Sequence, residues 1–176
     1  AEVVKYGVIR DAALFRRLEV QAAGLVAGDA RLLGPMVARC CEIKADVVAR
    51  DEREGGLRAI LNFGHTLGHA VEQATGYRRY LHGEAVSLGM VFAARVSVRA
   101  AGLKPGDAAR LEALLAALGL PVRQPRLAWQ RIRGAMAVDK KSAGGLPRWV
   151  LARGIGRVQW GCEVPESVLR GIWQRG

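Results

Sequence analysis

All three histidines of the chain lie in one segment, residues 54–82. On a helix, which turns about 100° per residue, several polar side chains of this segment share one face within an arc of roughly 80°. They are Glu54, Arg58, Asn62, His65, His69 and Glu72. The opposite face is apolar, as in a helix packed against a core, and consists of Leu57, Ile60, Leu61, Leu67, Ala70 and Val71. The spacing predicts one amphipathic helix with a dense polar face.

This polar face holds groups that bind metal ions and transfer protons. Imidazoles at positions i and i+4 can bind one metal ion, so the spacing alone assigns His65 and His69 together as ligands. The alternative is a solvated face, which is the usual role of a polar helix stripe. Asn and His are weak helix formers and unusual choices for that role, and His82 adds a third imidazole. These residue types favour a functional site.

Lysine is rare among the basic residues of this chain. Of 27 Lys and Arg residues, only five are Lys, namely Lys5, Lys44, Lys104, Lys140 and Lys141. A chain that otherwise uses Arg is expected to keep Lys where a compact, adjustable ammonium group is needed. Lys44 follows Cys40 by one helical turn and is flanked by apolar positions. We therefore expect Lys44 to point toward the interior or a cleft.

Length and composition indicate one domain with a core of its own. The chain has 176 residues, of which 51% are hydrophobic, so it needs no disulfide or metal to fold. Three cysteines, two of them adjacent, do not suit a disulfide framework or a thiolate metal site. They favour a reducing, cytoplasmic location. No apolar run reaches the roughly 18 residues of a membrane span, and the first residues do not show the pattern of a signal peptide, so we expect neither.

The formal net charge is +11. Such a charge is compatible with nucleic acid, an anionic membrane surface or a phosphorylated substrate as partner. The arginines are scattered along amphipathic segments, and no basic run contains interleaved aromatic residues. The pattern therefore argues against nucleic acid.

The remaining segments predict a mainly α-helical domain with one small β-hairpin. Asp11 is expected to cap an early helix, and Gly76 to end the central one. Further helices are predicted at residues 32–51, 82–102, 107–118, 127–138 and 166–174. Two β-prone runs, residues 148–152 and 157–160, flank a glycine-containing turn and predict the hairpin.

Four blocks carry a resemblance to a known family. AEVVKYGVI, RAILNFGHTLGHAVE, HGEAVSLGM and DKKSAGG occur in this order, and together they resemble 3-dehydroquinate synthase, an enzyme of the shikimate pathway of aromatic amino acid biosynthesis. The resemblance covers essentially the whole chain, residues 1–176, and implies the helical C-terminal domain of the dehydroquinate synthase-like fold. An N-terminal α/β domain would carry most of the NAD+ site. Its absence from this chain agrees with the lack of a GxGxxG fingerprint and of an initial Met.

The resemblance also implies roles for individual residues. Glu2, His65 and His82 would bind a catalytic Zn2+ or Co2+ ion, while His69 would act as an acid/base group rather than as a ligand. Glu54 and Lys5 would take part in catalysis. The substrate would be bound by Lys5, Lys44, Arg58, Asn62, His69 and one or both of Lys140 and Lys141. Cations suit that role because the implied substrate, a phosphorylated seven-carbon keto sugar acid, is anionic at both ends.

The reaction implied by the resemblance is a lyase reaction, from 3-deoxy-arabino-heptulosonate 7-phosphate to 3-dehydroquinate and phosphate. NAD+ would transiently oxidise the C5 hydroxyl, phosphate would be eliminated, hydride would return, and an internal aldol step would close the ring. Oxidation must come first because elimination needs an acidic proton next to a ketone. The enzyme would be a homodimer, and this domain alone would be inactive.

Two other functions remain compatible with the sequence. A related sugar phosphate cyclase could share the metal and phosphate residues and differ in a few specificity contacts. A basic helical binding module without catalysis would use its histidines structurally.

Overall fold

The computed structural model describes residues 1–52, 56–138 and 147–176. Glu54, Lys140 and Lys141 lie outside these ranges. The described helices are α1 (Glu2–Ile9), α2 (Ala12–Val26), α3 (Ala30–Arg50), a 3₁₀ helix (Leu57–Asn62), α4 (His65–Ala74), α5 (His82–Ala100), α6 (Pro105–Ala117), α7 (Trp129–Val138) and α8 (Glu166–Trp173). The predicted mainly helical fold with one small hairpin is confirmed.

The hairpin consists of the antiparallel strands β1 (Trp149–Gly154) and β2 (Arg157–Cys162). Its register pairs Leu151 with Gln159 and is interrupted by two irregularities. The hairpin packs against α1, where the Gly156 amide donates a hydrogen bond to the Val8 carbonyl oxygen (2.9 Å).

Helix α5 lies between two buried apolar clusters. The first cluster draws on α1, α2, α3 and α6, and the second on α4, α7, α8 and β1. The buried side chains of α5 contribute to both, for example Met90 to the first and Phe92 to the second. A helix buried on most sides must be apolar nearly all round, and this explains the composition of the segment that begins with HGEAVSLGM.

Close backbone contact joins α4 to α5. Gly64 precedes α4 with φ +82°, a conformation that favours glycine. A Cβ atom at Gly64 would lie 2.6 Å from Met90 Cγ, and a Cβ atom at Gly89 would overlap the Gly64 carbonyl oxygen. At Gly68 the nearest atoms of α5 would be 3.2 Å away. We call this glycine-lined contact the α4–α5 seam.

The prediction of one continuous central helix is wrong. The segment from Leu57 to Asn62 is a 3₁₀ helix, and the chain turns at Phe63 and Gly64 before α4 begins at His65. Phe63 is fully buried. The tertiary contact at Gly64 thus breaks a segment whose apolar and polar residues recur at helical spacing.

Other local predictions hold. The Asp11 carboxylate accepts hydrogen bonds from the amides of Ala13 and Leu14 and caps α2 as expected. Helix α3 begins two residues earlier than predicted, at Ala30, and includes Pro35 near its start. In the described ranges, no helix has the length and apolar character that a membrane span requires.

Candidate metal centre

Three helices begin next to one another at the candidate site. Glu2 is the first residue of α1, His65 of α4 and His82 of α5. One possible ligand atom from each residue lies within 4.8 Å of the other two. One carboxylate and two imidazoles suit zinc or cobalt, and three protein ligands leave coordination positions for substrate oxygens.

The Glu2 carboxylate is shared between two neighbours. Its Oε2 atom accepts a 2.7 Å hydrogen bond from Lys5 Nζ, a side chain that is 3% exposed. Its Oε1 atom lies 3.3 Å from His65 Nε2 and is buried without a hydrogen-bond partner in the described ranges. Burial raises the pKa of Glu2, but the polar contacts with His65 and Lys5 outweigh it and lower that pKa to about 2. Glu2 is therefore ionised at neutral pH.

The orientation of His65 suits a metal ligand. Its Nδ1 atom lies 3.3 Å from the carbonyl oxygen of Phe63, which can only accept a hydrogen bond. This contact places a proton on Nδ1, so in the neutral imidazole the Nε2 lone pair faces Glu2 Oε1, whereas in the imidazolium an Nε2 proton lies between them. Two electron-rich atoms that face each other in a buried place repel unless a proton or a cation lies between them. The pair is therefore a suitable place for a metal ion.

His82 is held on its other side by a carboxylate. Its Nδ1 atom lies 3.2 and 3.3 Å from the two carboxylate oxygens of Glu72, a residue only 8% exposed. Glu72, His82 and His69 also form a second group whose possible ligand atoms lie within 4.8 Å of one another. The sequence placed Glu72 on the polar face but assigned it no role. Its partner, His82, follows in another helix, and the face pattern did not reveal that contact.

The geometry does not favour the pairing of His65 and His69 that their spacing alone suggested. Their ring centroids are 5.5 Å apart and their planes nearly perpendicular, at 89°. Neither of the two possible ligand groups in the described ranges contains both residues. The His65 ring is equally close to the His82 ring, at 5.5 Å, and those two belong to the group that includes Glu2.

A cleft of about 350 Å³ opens beside this centre. The lining residues from the predicted site are Asn62, His65 and His69. The hairpin contributes Val150 and Trp160, and the residue just before it contributes Arg148. Arg148 and Trp160 were not among the predicted site residues, because the β-prone runs 148–152 and 157–160 predicted a hairpin and indicated no binding role. An arginine at this rim adds positive charge to a cleft beside a proposed metal site.

The 3₁₀ helix carries two of the predicted site residues, one of which lines the cleft. Asn62 is exposed and lines it. Arg58 is partly buried, and its backbone amide donates a 2.8 Å hydrogen bond to Asp51 Oδ2. The same oxygen accepts a hydrogen bond from the Gly56 amide. Asp51 thus anchors the start of this helix to the end of α3.

Of the two positions expected for Lys44, the interior or a cleft, the structure excludes the interior. Lys44 is exposed on α3, whose buried side chains are Met36, Cys40, Ile43 and Val47. It follows Ile43 by one residue, and a helical step of about 100° turns it away from the core. Its assignment to the substrate stays a prediction, as do those of Glu54, Lys140 and Lys141, which lie outside the described residues.

The sequence of residues 1–142 matches the family model described as 3-dehydroquinate synthase C-terminal. The chain belongs to the 3-dehydroquinate synthase family. A 3-dehydroquinate synthase from Gloeobacter violaceus is 54% identical over 98% of this chain and 48% of its own length. One from Acidithiobacillus ferrooxidans is 48% identical over 96% of this chain and 46% of its own length. The chain therefore spans about half the length of these 3-dehydroquinate synthases.

Solved structures of sugar phosphate cyclases share the fold. The 2-epi-5-epi-valiolone synthase from Streptomyces hygroscopicus, with NAD+ and Zn2+ bound, aligns with a TM-score of 0.87 and 26% identity over 99% of this chain and 49% of its own. A 2-deoxy-scyllo-inosose synthase aligns with a TM-score of 0.79 at 24% identity, over 99% of this chain and 50% of its own. The resemblance of the sequence to 3-dehydroquinate synthase is thus confirmed at the level of family and fold.

Proposed function

We propose that this chain is the metal- and substrate-binding domain of a 3-dehydroquinate synthase, which forms 3-dehydroquinate and phosphate from 3-deoxy-arabino-heptulosonate 7-phosphate. The observation that carries the proposal is the convergence of Glu2, His65 and His82 at three adjacent helix starts, in a member of this family. An N-terminal α/β domain of the same protein would bind most of NAD+. The matched relatives are about twice as long as this chain, which leaves room for such a domain.

The residues present fit a catalytic metal. Glu2 Oε1, His65 Nε2 and a nitrogen of His82 would hold Zn2+ or Co2+, and the cation would lie between the buried Oε1 atom and the Nε2 atom 3.3 Å from it. When bound, the metal supplies a Lewis acid and NAD+ a hydride acceptor beside the substrate hydroxyls. Lys5 holds the second oxygen of Glu2, so this carboxylate stays ionised and fixed in direction.

The other residues of the site would bind and orient the substrate. His69 lines the cleft beside both proposed imidazole ligands, where it can accept a proton from a substrate hydroxyl. Asn62 lines the same cleft and can donate a hydrogen bond to a substrate oxygen. Arg58 and Lys44 would bind the anionic ends of the substrate, as would Lys140 or Lys141. Glu54 would complete the acid/base groups.

The two alternative functions are less well supported. The cyclases of known structure share the fold at 23–26% identity, so the fold does not distinguish their substrates. Identities of 44–54% to 3-dehydroquinate synthases favour that activity over another cyclase activity. A structural role for the histidines, as in a basic binding module, would need a proton on His65 Nε2 to pair with the buried Glu2 Oε1, and it does not account for the convergence of Glu2, His65 and His82 at three helix starts.

The test uses the full-length protein with NAD+ and one equivalent of Zn2+ or Co2+. We expect it to release phosphate and form 3-dehydroquinate from 3-deoxy-arabino-heptulosonate 7-phosphate, and a His82→Ala variant to do neither. Preferential turnover of another sugar phosphate, such as glucose 6-phosphate, would assign it to a different cyclase. Absence of metal binding together with salt-dependent binding to nonspecific DNA would favour the binding module.

Two further proposals concern assembly and location. We expect the full-length enzyme to be a homodimer, which sedimentation velocity would measure directly. The described cysteines, Cys40, Cys41 and Cys162, are all free thiols, which supports the cytoplasmic location proposed from the sequence.

A further inference from the structure

Glu72 is a buried carboxylate that none of the proposed roles uses. It belongs to α4, where its neighbours Ala70, Val71 and Ala74 are buried apolar residues. A buried charge is costly unless other groups compensate it. The compensating group here is His82, whose Nδ1 atom lies within 3.3 Å of both oxygens of Glu72.

The two proposed imidazole ligands are held in different ways. The His65 side chain is 13% exposed, and its Nδ1 atom faces a backbone carbonyl. The His82 side chain is 51% exposed, so packing restricts its rotation much less. The residue before it, Leu81, is 75% exposed and offers little additional packing. The contact with Glu72 is therefore the main restraint on the His82 ring that the described residues provide.

The position of Glu72 is itself fixed. Its carbonyl oxygen accepts hydrogen bonds from the Tyr77 amide (2.8 Å) and from Thr75 Oγ1 (3.2 Å) at the end of α4. These bonds tie the turn after α4 to the residue that contacts His82. Since the turn leads directly to α5, it also limits where His82 can lie.

The contact determines which nitrogen of His82 can bind a metal. An ionised carboxylate can only accept hydrogen bonds, so it places the proton on Nδ1 and leaves the lone pair on Nε2. It also makes the imidazole a stronger donor to a metal ion. We propose that Glu72 is a positioning residue, which selects the tautomer and the orientation of His82 for metal binding. This inference rests on the proposed metal centre of Glu2, His65 and His82.

The direct test measures zinc affinity of the full-length protein by competition with a chromophoric chelator. Removal of a carboxylate that hydrogen-bonds to a metal-ligating histidine typically weakens metal binding about 10- to 100-fold, and we expect this range for Glu72→Ala. Glu72→Gln keeps the size of the side chain and one acceptor oxygen, so we expect a smaller loss. Glu112→Ala is the matched control, because it removes a carboxylate that pairs with Arg95 on α5, away from the centre.

Two spectroscopic measurements separate positioning from a merely structural role. The ¹⁵N shifts of His82 in the metal-free protein should report a proton on Nδ1 in the wild type and a mixture of tautomers in Glu72→Ala. The absorption bands of the Co2+-loaded protein should keep their shape in both variants, because the ligand set is unchanged. Circular dichroism of the metal-free variants would verify that they are folded. If Glu72→Ala does not fold, Glu72→Gln takes its place in both measurements.

The outcomes are distinguishable. Equal zinc affinity in the wild type and both Glu72 variants would overturn the inference and leave the metal centre intact. A changed cobalt spectrum, with zinc loss as complete as in His82→Ala, would identify Glu72 as a ligand and also overturn it. If His82→Ala bound zinc as tightly as the wild type, the proposed metal centre itself would be wrong.

Discussion

The two sides of α4 differ in their contacts: one packs against the backbone of α5, and the other faces the cleft. Toward α5, the helix start at Gly64 and the following turn at Gly68 meet the neighbouring backbone so closely that little side-chain volume fits between them. Toward the cleft, His65 and His69 project polar rings that only partly pack. The seam fixes where α4 and α5 begin, so it determines the distance between His65 and His82. Substitutions on the two sides should therefore have different consequences.

The largest effect is expected on the cleft side. His65→Ala removes one of three proposed ligands, and we expect zinc to be lost and kcat/KM to fall by at least about 10³-fold, equivalent to about 4 kcal/mol. Because the seam is intact, the free energy of unfolding of the metal-free protein should change by less than about 1 kcal/mol. Metal analysis, turnover and denaturation of the full-length protein measure these three quantities.

Gln73→Ala is the control for that prediction, since Gln73 lies on α4 but belongs to neither possible ligand group. It should keep one equivalent of zinc and wild-type turnover. Retention of stoichiometric zinc by His65→Ala would remove this residue from the ligand set.

The next largest effect is expected at the seam. The new methyl group of Gly89→Ala would overlap the Gly64 carbonyl oxygen, and the backbones of α4 and α5 would have to separate. Overpacking of this kind costs about 3 kcal/mol, measured as a lower denaturant midpoint. Gly106→Ala on α6 is the control, because a Cβ atom there meets nothing within 4 Å. A wild-type midpoint for Gly89→Ala would mean that α4 and α5 can separate enough to fit the methyl group without a loss of stability.

Features that depend on local patterns were predictable from the sequence, whereas features that depend on contacts such as the α4–α5 seam were not. The cap at Asp11, helix α3 and the hairpin follow from local patterns, and they formed as expected. The break before His65 depends on the contact of Gly64 with Met90, which lies in another helix. Periodicity does not encode such a contact, so the pattern predicted an uninterrupted helix.

In the candidate site, too, local patterns predicted some features and missed those that depend on contacts between distant segments. The spacing of His65 and His69 identified the right segment but suggested a pairing that the geometry does not favour. Glu2 is distant from both in sequence, and only the family resemblance placed it with His65 and His82. Lys44 was expected in the interior or a cleft because Cys40 lies one helical turn before it and its neighbours are apolar. The buried stripe of α3, formed by Met36, Cys40, Ile43 and Val47, leaves Lys44 beside the buried face, and the spacing alone did not show on which side of that boundary it lies.

A smaller effect is expected at the rim of the cleft. Arg148 lines the cleft, and its side chain is 67% exposed while it pairs with Glu163. If it also attracts the anionic substrate, Arg148→Ala should raise KM about 3- to 10-fold with little change in kcat, and the increase should shrink at high salt. Arg153→Ala is the control, because Arg153 is exposed on β1, the strand that Arg148 precedes, but does not line the cleft. Equal KM values in the two variants would exclude Arg148 from substrate binding.

The smallest effect is expected at Gly134, an exposed glycine in α7 where an added Cβ atom would meet nothing within 4 Å. Gly134→Ala should stabilise the protein by about 0.5–1 kcal/mol, because alanine loses less backbone entropy than glycine when a helix forms. The same chemical change therefore has opposite signs at Gly134 and Gly89. Denaturant midpoints of the two variants, measured side by side, test whether backbone contact at the seam accounts for the difference. A destabilised Gly134→Ala would show that glycine substitution in this fold is costly even without such contact.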